Sequence, residues 1–407
     1  AAIRKVARGS EYISPEIRQQ LAVDPPIPEL TPRQKDILAS MVRGLTDKDI
    51  ALNPPLHRDE CKMMIIHKKS GEIEMFKKDE NGKPLNGKGR KKVFIEFRDI
   101  INYFDEGDTF VFNDTKVLPA RLFGTKEKTD ANIEVYLLRE LNKEMRLWDV
   151  IVEPARKIRI GNKLFFDESG SMVAEVIDNT TSRGRTLRFL YECSHEEFKE
   201  ELFKLGEAPL PDYIISRRKT TADDLTNFQC LYAKKEGAVT APASGLHFSR
   251  ELLKRMEIKD INKAFVTLHT SFANFNEIDV EDLSKYKMDS EQMEVNEEAC
   301  HLVNTAKEEG HHVIAVGTST VRTLETAVGT DGKLKEYEGW TNKFVFPPYN
   351  CQVADCMVGN FYHPLSTLLM VECAFGGYDI MVEAYKLALE NGYKFGCYGD
   401  ALLIMND

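Results

Sequence analysis

Two textures of apolar and polar residues follow one another along the chain. From Thr109 to about Leu205, apolar residues come in short runs divided by turn residues. RLFG, NIEVYLLREL, RLWDVIV, NKLFF, MVAEVID and TLRFLYE alternate with period two, as half-buried strands do. TFVFND is apolar nearly throughout its first half, as a strand covered on both faces would be. The close spacing of these runs predicts a small antiparallel barrel or sandwich over 120–205. Beyond Pro209 the period lengthens. HFSRELLKRMEIK predicts an amphipathic helix and INKAFVTLHT a strand. SEQMEVNEEACHLVNTAKEEG predicts a helix with an acidic start and a glycine stop, HVIAVGTST a strand, and VRTLETAVG a helix. CMVGNFY and TLLMVECAF lead to the helix DIMVEAYKLALENG, and YGDALLI ends the pattern. Strands alternating with helices imply a mostly parallel sheet covered on both faces. The expected fold class is therefore α/β, a mostly parallel sheet with flanking helices plus an inserted small antiparallel β-barrel. Residues 58–119 and 206–407 would form the α/β domain, and 120–205 the insertion.

Ahead of these lies an uneven segment, 1–57. ISPEIRQQL and PRQKDILASMVRGL have helical periodicity, and the prolines of VDPPIPELTP separate them. This predicts an N-terminal arm with short helices. Met63–His67 reads as a strand and KKSGEIEMF as a hairpin. Asn81 to Lys92 is rich in glycine and lysine, with Leu85 its one apolar residue. It predicts a mobile loop, either a solvated turn or a nucleic-acid contact.

Composition narrows the class. The 407 residues are 42% hydrophobic and 29% charged, values of an ordinary folded chain. No uncharged apolar run approaches ~18 residues, so no membrane span is expected. The basic start AAIRKVARGSEY has no apolar stretch behind it, so no signal peptide is expected. The eight cysteines show no CxxC pair. A disulfide framework and a structural zinc are not expected, and a cytoplasmic location is. The formal net charge of −10 argues against a protein that coats nucleic acid, and leaves room for a local basic patch.

Candidate chemistry gathers at predicted strand ends, where open α/β sheets place ligands. Asn113, Asp114 and Thr115 follow an apolar strand, with Arg121 close behind. They offer polar groups and a guanidinium fork, or else an Asx-turn and a structural salt bridge. Ala241 to Ser249 precedes a helix. Its Gly245 allows close backbone approach. Its His247, between Leu246 and Phe248, is either an acid–base group or a satisfied core histidine. Thr267 to Ser271 carries His269 at another strand end. Gly317 to Arg322 places hydroxyls and an arginine at a helix start, without the spacing of a dinucleotide fingerprint or P-loop. A metal centre is not expected, because His247 and His269 lack carboxylates at ligand spacing and His311 and His312 are adjacent. No GxSxG elbow is present.

Taken in order, FVFNDTKVLPARLFG, GAVTAPASGLHF, AFVTLHT, VIAVGTSTVRTLETA, NFYHPLSTLLMVECAFGG and YGDALLI resemble the S-adenosylmethionine:tRNA ribosyltransferase-isomerases of queuosine biosynthesis. The resemblance runs from about Arg58 to Ile404, and APLPDYIISR fits between the first two segments. It implies an α/β domain with an inserted barrel. It also implies transfer of the ribosyl part of S-adenosylmethionine to a 7-aminomethyl-7-deazaguanine base in tRNA, giving epoxyqueuosine, adenine and methionine. S-adenosylmethionine would be a co-substrate, with no tightly bound cofactor, no metal and no membrane. The implied catalytic residues are His247, Asp114 and His269. The implied binding residues are Asn113, Arg121, Gly245, Ser290, Glu291, Thr318, Arg322, Asn360 and Ser366. If Asn113, Arg121, His247 and Thr318 serve one ligand, they converge in one pocket at the domain junction.

The chain departs from the family pattern in places. Ser271 to Phe275 replaces a glycine-rich turn, Asp289 stands where a histidine is usual, and Glu153 stands where an arginine is usual. In Tyr362-His363-Pro364-Leu365 a histidine is shifted by one position and a lysine is lost. These departures put the altered segments on the acceptor side. They raise two alternatives, a paralogue with a small-molecule acceptor and a non-catalytic nucleoside- or RNA-binding relative.

Overall fold

The computed structural model describes residues 48–75, 95–272, 278, 280 and 282–407. Most of the predicted N-terminal arm and the whole loop Asn81–Lys92 lie outside the described residues. The larger unit is a mixed nine-stranded sheet. Its order is Tyr337–Thr341, Glu291–Val295, Asn262–Leu268, Thr109–Asn113, Val313–Val316, Cys356–Asn360, Ala401–Met405, Met63–His67 and Glu72–Glu74. The centre is parallel, with Thr109–Asn113 between Asn262–Leu268 and Val313–Val316, and Cys356–Asn360 beyond. Four strands are buried at every position, Thr109–Asn113, Val313–Val316, Cys356–Asn360 and Ala401–Met405. That burial is why their sequences read as apolar runs.

Successive side chains point to opposite faces. Val111, Val313 and Ala315 pack under the helices Glu297–Glu309, Thr318–Ala327, Thr367–Gly376 and Tyr378–Glu390. Phe110, Phe112, Ile314 and Val316 pack against Phe97, Phe248, Leu252 and Met256 on the other face. The α/β class with an inserted barrel is as expected. One predicted helix is divided: Glu291–Val295 is a strand, and the helix runs only from Glu297 to Glu309. The reason is local. Glu291, Met293 and Val295 are buried in alternation, and the Asn296 side chain accepts from Ala299 N to start the helix afresh.

The second unit is a closed antiparallel barrel in the order Gly184–Leu190, Leu147–Glu153, Ala131–Asn142, Arg121–Lys126, Lys163–Phe165 and Val173–Asn179. Trp148, Phe189, Leu137 and Val150 fill it, and Phe198 and Leu202 of the helix His195–Leu205 cover one end. Entry and exit strands clamp one another, with Arg121 N donating to Glu207 O and Glu207 N to Arg121 O. Among the described residues no helix is long and apolar enough to cross a membrane.

His247 stands at the edge of the aromatic core. Its ring lies 5.0 Å from Phe97, and its Nδ1 lies 3.2 Å from Cys61 Sγ. Burial pushes its pKa down to about 4. An unfolded imidazole titrates near ~6.5. The unfolded chain thus takes up a proton that the folded chain refuses. The stabilising contribution is complete above the unfolded pKa and is lost as pH falls through this window toward the folded pKa. His247→Phe removes that titration. Urea midpoints at neutral pH and near pH ~4.5 are expected to show the wild type losing roughly 2–3 kcal/mol more than the variant. Equal acid losses in the two proteins would mean that the ring protonates in place.

Candidate functional site

Because the central strands are parallel, their carboxyl ends share one edge of the sheet. Asn113, Gly317 and Asn360 mark that edge. A cavity of about 390 Å³ opens there, between the sheet and the barrel. The barrel side contributes Tyr136, Ile151 and Arg183, and the chain leaving the barrel contributes Pro211, Asp212 and Tyr213. Thr240 to Ala243, Thr270, Phe272 and Gly317 to Ser319 form the sheet side with Arg322. Tyr362 to Pro364, Ser366, Leu368, Gly396 and Cys397 complete the wall.

The turn at Gly317 has φ +90°, a conformation that suits glycine. No side chain caps the helix Thr318–Ala327, so the N–H groups of its first turn face the cavity side with the positive end of the helix dipole. Arg322 is buried one turn further on. Its Nε donates to Lys343 O at 2.8 Å and its Nη1 to Glu291 Oε2 at 2.5 Å. Its Nη2 has no hydrogen-bond partner among the described residues. Glu291 Oε1 in turn accepts from Ser271 N at 2.6 Å.

Aromatic rings surround the opening. Tyr136 and Phe272 meet edge to face at 5.0 Å, and His363 lies 4.7 Å from Tyr213. The Tyr362 hydroxyl is 3.3 Å from Ser244 Oγ. Its backbone N–H donates to Tyr385 Oη at 3.0 Å, which donates to Glu372 Oε2 at 2.8 Å. Burial drives the Glu372 carboxyl well above the usual carboxylate range.

Of the residues singled out from sequence, Thr318, Arg322 and Ser366 line the cavity. The expected convergence of Asn113, Arg121, His247 and Thr318 is not what the geometry gives, since the other three are held elsewhere. Asn113 is fully buried, donating to Leu268 O and Ser319 Oγ. Arg121 crosses the barrel neck to Glu134 and Thr220 and packs on Phe123. His247 is in the core. Asp114 accepts from Thr267 Oγ1 at 2.6 Å. His269 Nδ1 sits 2.7 Å from Thr115 Oγ1, and burial lowers its pKa. A Cβ at Gly245 would come within 2.0 Å of Tyr232 Oη, so this glycine serves chain packing rather than ligand approach. Asn360 donates to Gly396 O. Ser366 caps the helix Thr367–Gly376, accepting from Leu369 N at 3.2 Å. Glu291 lies behind Arg322, and Ser290 is exposed.

Sequence reading missed Tyr136, Arg183, Asp212 and Tyr213 as site residues. Tyr136 is an aromatic outside the barrel's filling, and Asp212-Tyr213 belong to a segment that matches the family motif. Among the described residues no three metal-ligating side chains cluster.

A family model described as queuosine biosynthesis protein matches residues 43–404. The chain is 62% identical over 362 residues to an S-adenosylmethionine:tRNA ribosyltransferase-isomerase of Phocaeicola vulgatus, covering 89% of this chain and 97% of that protein. It is 59% identical over 362 residues to a protein of the same name from Parabacteroides distasonis, covering 89% and 98%. The crystal structure of an S-adenosylmethionine tRNA ribosyltransferase from Thermotoga maritima aligns at 29% identity with a TM-score of 0.47, over 89% of this chain and 98% of that one. The family model spans most of the chain and the relatives share more than half of the aligned positions, so the chain belongs to the queuosine biosynthesis protein family.

Proposed function

We propose that this protein is an S-adenosylmethionine:tRNA ribosyltransferase-isomerase and that its reaction takes place in the cavity between sheet and barrel. It moves the ribosyl part of S-adenosylmethionine to a 7-aminomethyl-7-deazaguanine base at the wobble position of tRNA. Epoxyqueuosine forms, and adenine and methionine leave. Its substrates put its work in the cytoplasm. The observation that carries the reading is a cavity of about 390 Å³ walled by both units and ringed by aromatic side chains. That volume suits a small-molecule site, and the rings offer stacking surfaces for purine-like bases.

The sulfonium of the donor makes the C5′ protons acidic. A base removes one, the ribose opens with loss of adenine, and the substrate amine joins the chain. Ring closure follows, and an alkoxide expels methionine to form the epoxide. Of the lining side chains, His363 is the imidazole, and we assign it the proton transfers. The Tyr362 hydroxyl, in the same wall, faces the ribose oxygens and stabilises the alkoxide. His247, Asp114 and His269 act as scaffold, holding the strand ends from which these groups project.

The RNA approaches over the barrel. Arg183 lines the cavity and also a neighbouring groove with Arg156 and Lys157. All three are exposed. Arg183 is paired with Glu153 of the same groove, so Arg156 and Lys157 supply its net positive charge, suited to backbone phosphates.

Incubation with labelled donor and precursor-bearing tRNA, following adenine by chromatography, tests the assignment. His363→Ala is expected to lower kcat by ~10²–10⁴, while His247→Phe, off the cavity, keeps kcat within a few-fold. The reverse ranking would remove His363 from the chemistry.

Arg156→Ala with Lys157→Ala is expected to weaken tRNA binding and reduce the salt slope of log K by about 1–2. The donor KM should not change. An unaltered slope would put the RNA on another face.

A further inference from the structure

We infer that the corner of the cavity between the first turn of the helix Thr318–Ala327 and Arg322 is a carboxylate subsite that seats the amino-acid end of the donor. The choice of donor rests on the function proposed above, whereas the anion subsite rests on geometry alone. Gly317 to Ser319 and Arg322 line the same cavity. Helical side chains lean toward the N-terminus and meet residues three or four positions earlier. The guanidinium of Arg322 therefore overlies Thr318 and Ser319, where uncapped N–H groups converge.

Arg322 is 3% exposed. Two of its nitrogens are engaged and Nη2 has no partner among the described residues. A buried donor left unsatisfied is costly, and native structures rarely carry one without a reason. Here an acceptor arriving through the cavity would supply the missing bond. Glu291 makes the corner ready for it. One carboxylate oxygen holds Nη1 and the other holds Ser271 N, so the fork is immobilised before any ligand binds. Glu291 also sets the charge. It already balances the arginine, which leaves one Nη and the helix end for the ligand. A monoanionic carboxylate fits that remainder. A phosphate monoester would bring more negative charge beside Glu291, at a distance where like charges repel strongly. An RNA phosphodiester carries the same single charge as a methionine carboxylate, so depth decides between them: Arg322 is 3% exposed, within reach of the end of a small donor rather than of a backbone that stays in solvent.

The test uses the full chain with precursor-bearing tRNA and two donors, S-adenosylmethionine and its decarboxylated form, which keeps the sulfonium and amine. The wild type is expected to show a KM for the decarboxylated donor roughly 10- to 100-fold higher. Arg322→Gln should raise the KM for S-adenosylmethionine by a similar factor, and that for the decarboxylated donor less than about 3-fold. Glu291→Gln, which keeps the shape, should shift the two donors unequally in the same sense. Equal wild-type KM values for both donors would overturn the proposal without any variant having to fold. So would an Arg322→Gln effect confined to tRNA KM and its salt dependence, which would assign the corner to an RNA phosphate. If the wild type releases no adenine from either donor, the proposed function fails and the subsite is read separately by calorimetry. Tighter wild-type binding of L-methionine than of methioninol then supports it, and equal binding overturns it.

Discussion

Asn113 ends the central strand with no exposure to solvent. Its Oδ1 accepts from Leu268 N and Thr115 N, and its Nδ2 donates to Leu268 O and Ser319 Oγ. A carboxamide offers two donors and two acceptor positions, so every one is in use. The partners also fix its orientation, since turning the amide over would set N–H against N–H and oxygen against oxygen. Two consequences reach the site. Both backbone groups of Leu268 are pinned, which sets where the strand Asn262–Leu268 ends and the Thr270–Phe272 wall begins. Ser319 is pinned as well, which sets the origin of the helix that carries Arg322. Without this residue the two walls would have no common reference.

A second buried polar pair depends on that frame. Arg322 and Glu291 are 3% and 2% exposed, and their ion pair has paid for its desolvation only because further hydrogen bonds complete most of it. Lys343 O and Ser271 N supply them. The single omission is Nη2 of Arg322, a residue of the cavity wall. Glu291 reaches the interior through its place in a strand. Residues of Glu291–Val295 alternate between buried and outward positions, so Glu291 turns inward and its neighbour Ser290 stays in solvent. A period-two pattern thereby separates a site-building carboxylate from an adjacent hydroxyl that resembles it as a candidate on paper.

The fold was legible because the period of the hydrophobic pattern changes once, near Pro209, and because fully buried strands betray themselves as apolar runs. What escaped was short or mixed. EQMEV merges with the helical NEEACHLV unless Asn296 is read as a cap, and Tyr337–Thr341 carries a glycine and a glutamate that hide its strand character. The cavity wall was legible at three positions. Thr318, Arg322 and Ser366 sit in motifs at helix starts, where geometry leaves few directions to point. Tyr136, Arg183 and Tyr213 come from segments that reach the cavity only after the barrel has docked, and no local pattern announces docking. His247 stood open between two readings, acid–base group and core residue. Its flanking Leu246 and Phe248 already spoke for a core position, and Phe97 and Cys61 occupy its surroundings.

Hydrogen-bond accounting separates Asn113 from Arg322. Both belong to segments that carry the family resemblance. The amide of Asn113 is spent on Leu268, Thr115 and Ser319, so nothing remains for a substrate. Motif membership alone does not reveal this difference, whereas the unmet Nη2 of Arg322, a residue of the cavity wall, does. Arg121 extends the point to the whole molecule. It has the chemistry of an anion receptor, yet its side chain is taken by Glu134 and its backbone by Glu207 across the barrel neck. The backbone pair closes the neck where the chain enters and leaves the barrel. The sheet then presents fixed donors and the barrel presents Tyr136 and Arg183 across one gap, which is the arrangement that the proposed transfer from a small donor to a large RNA requires.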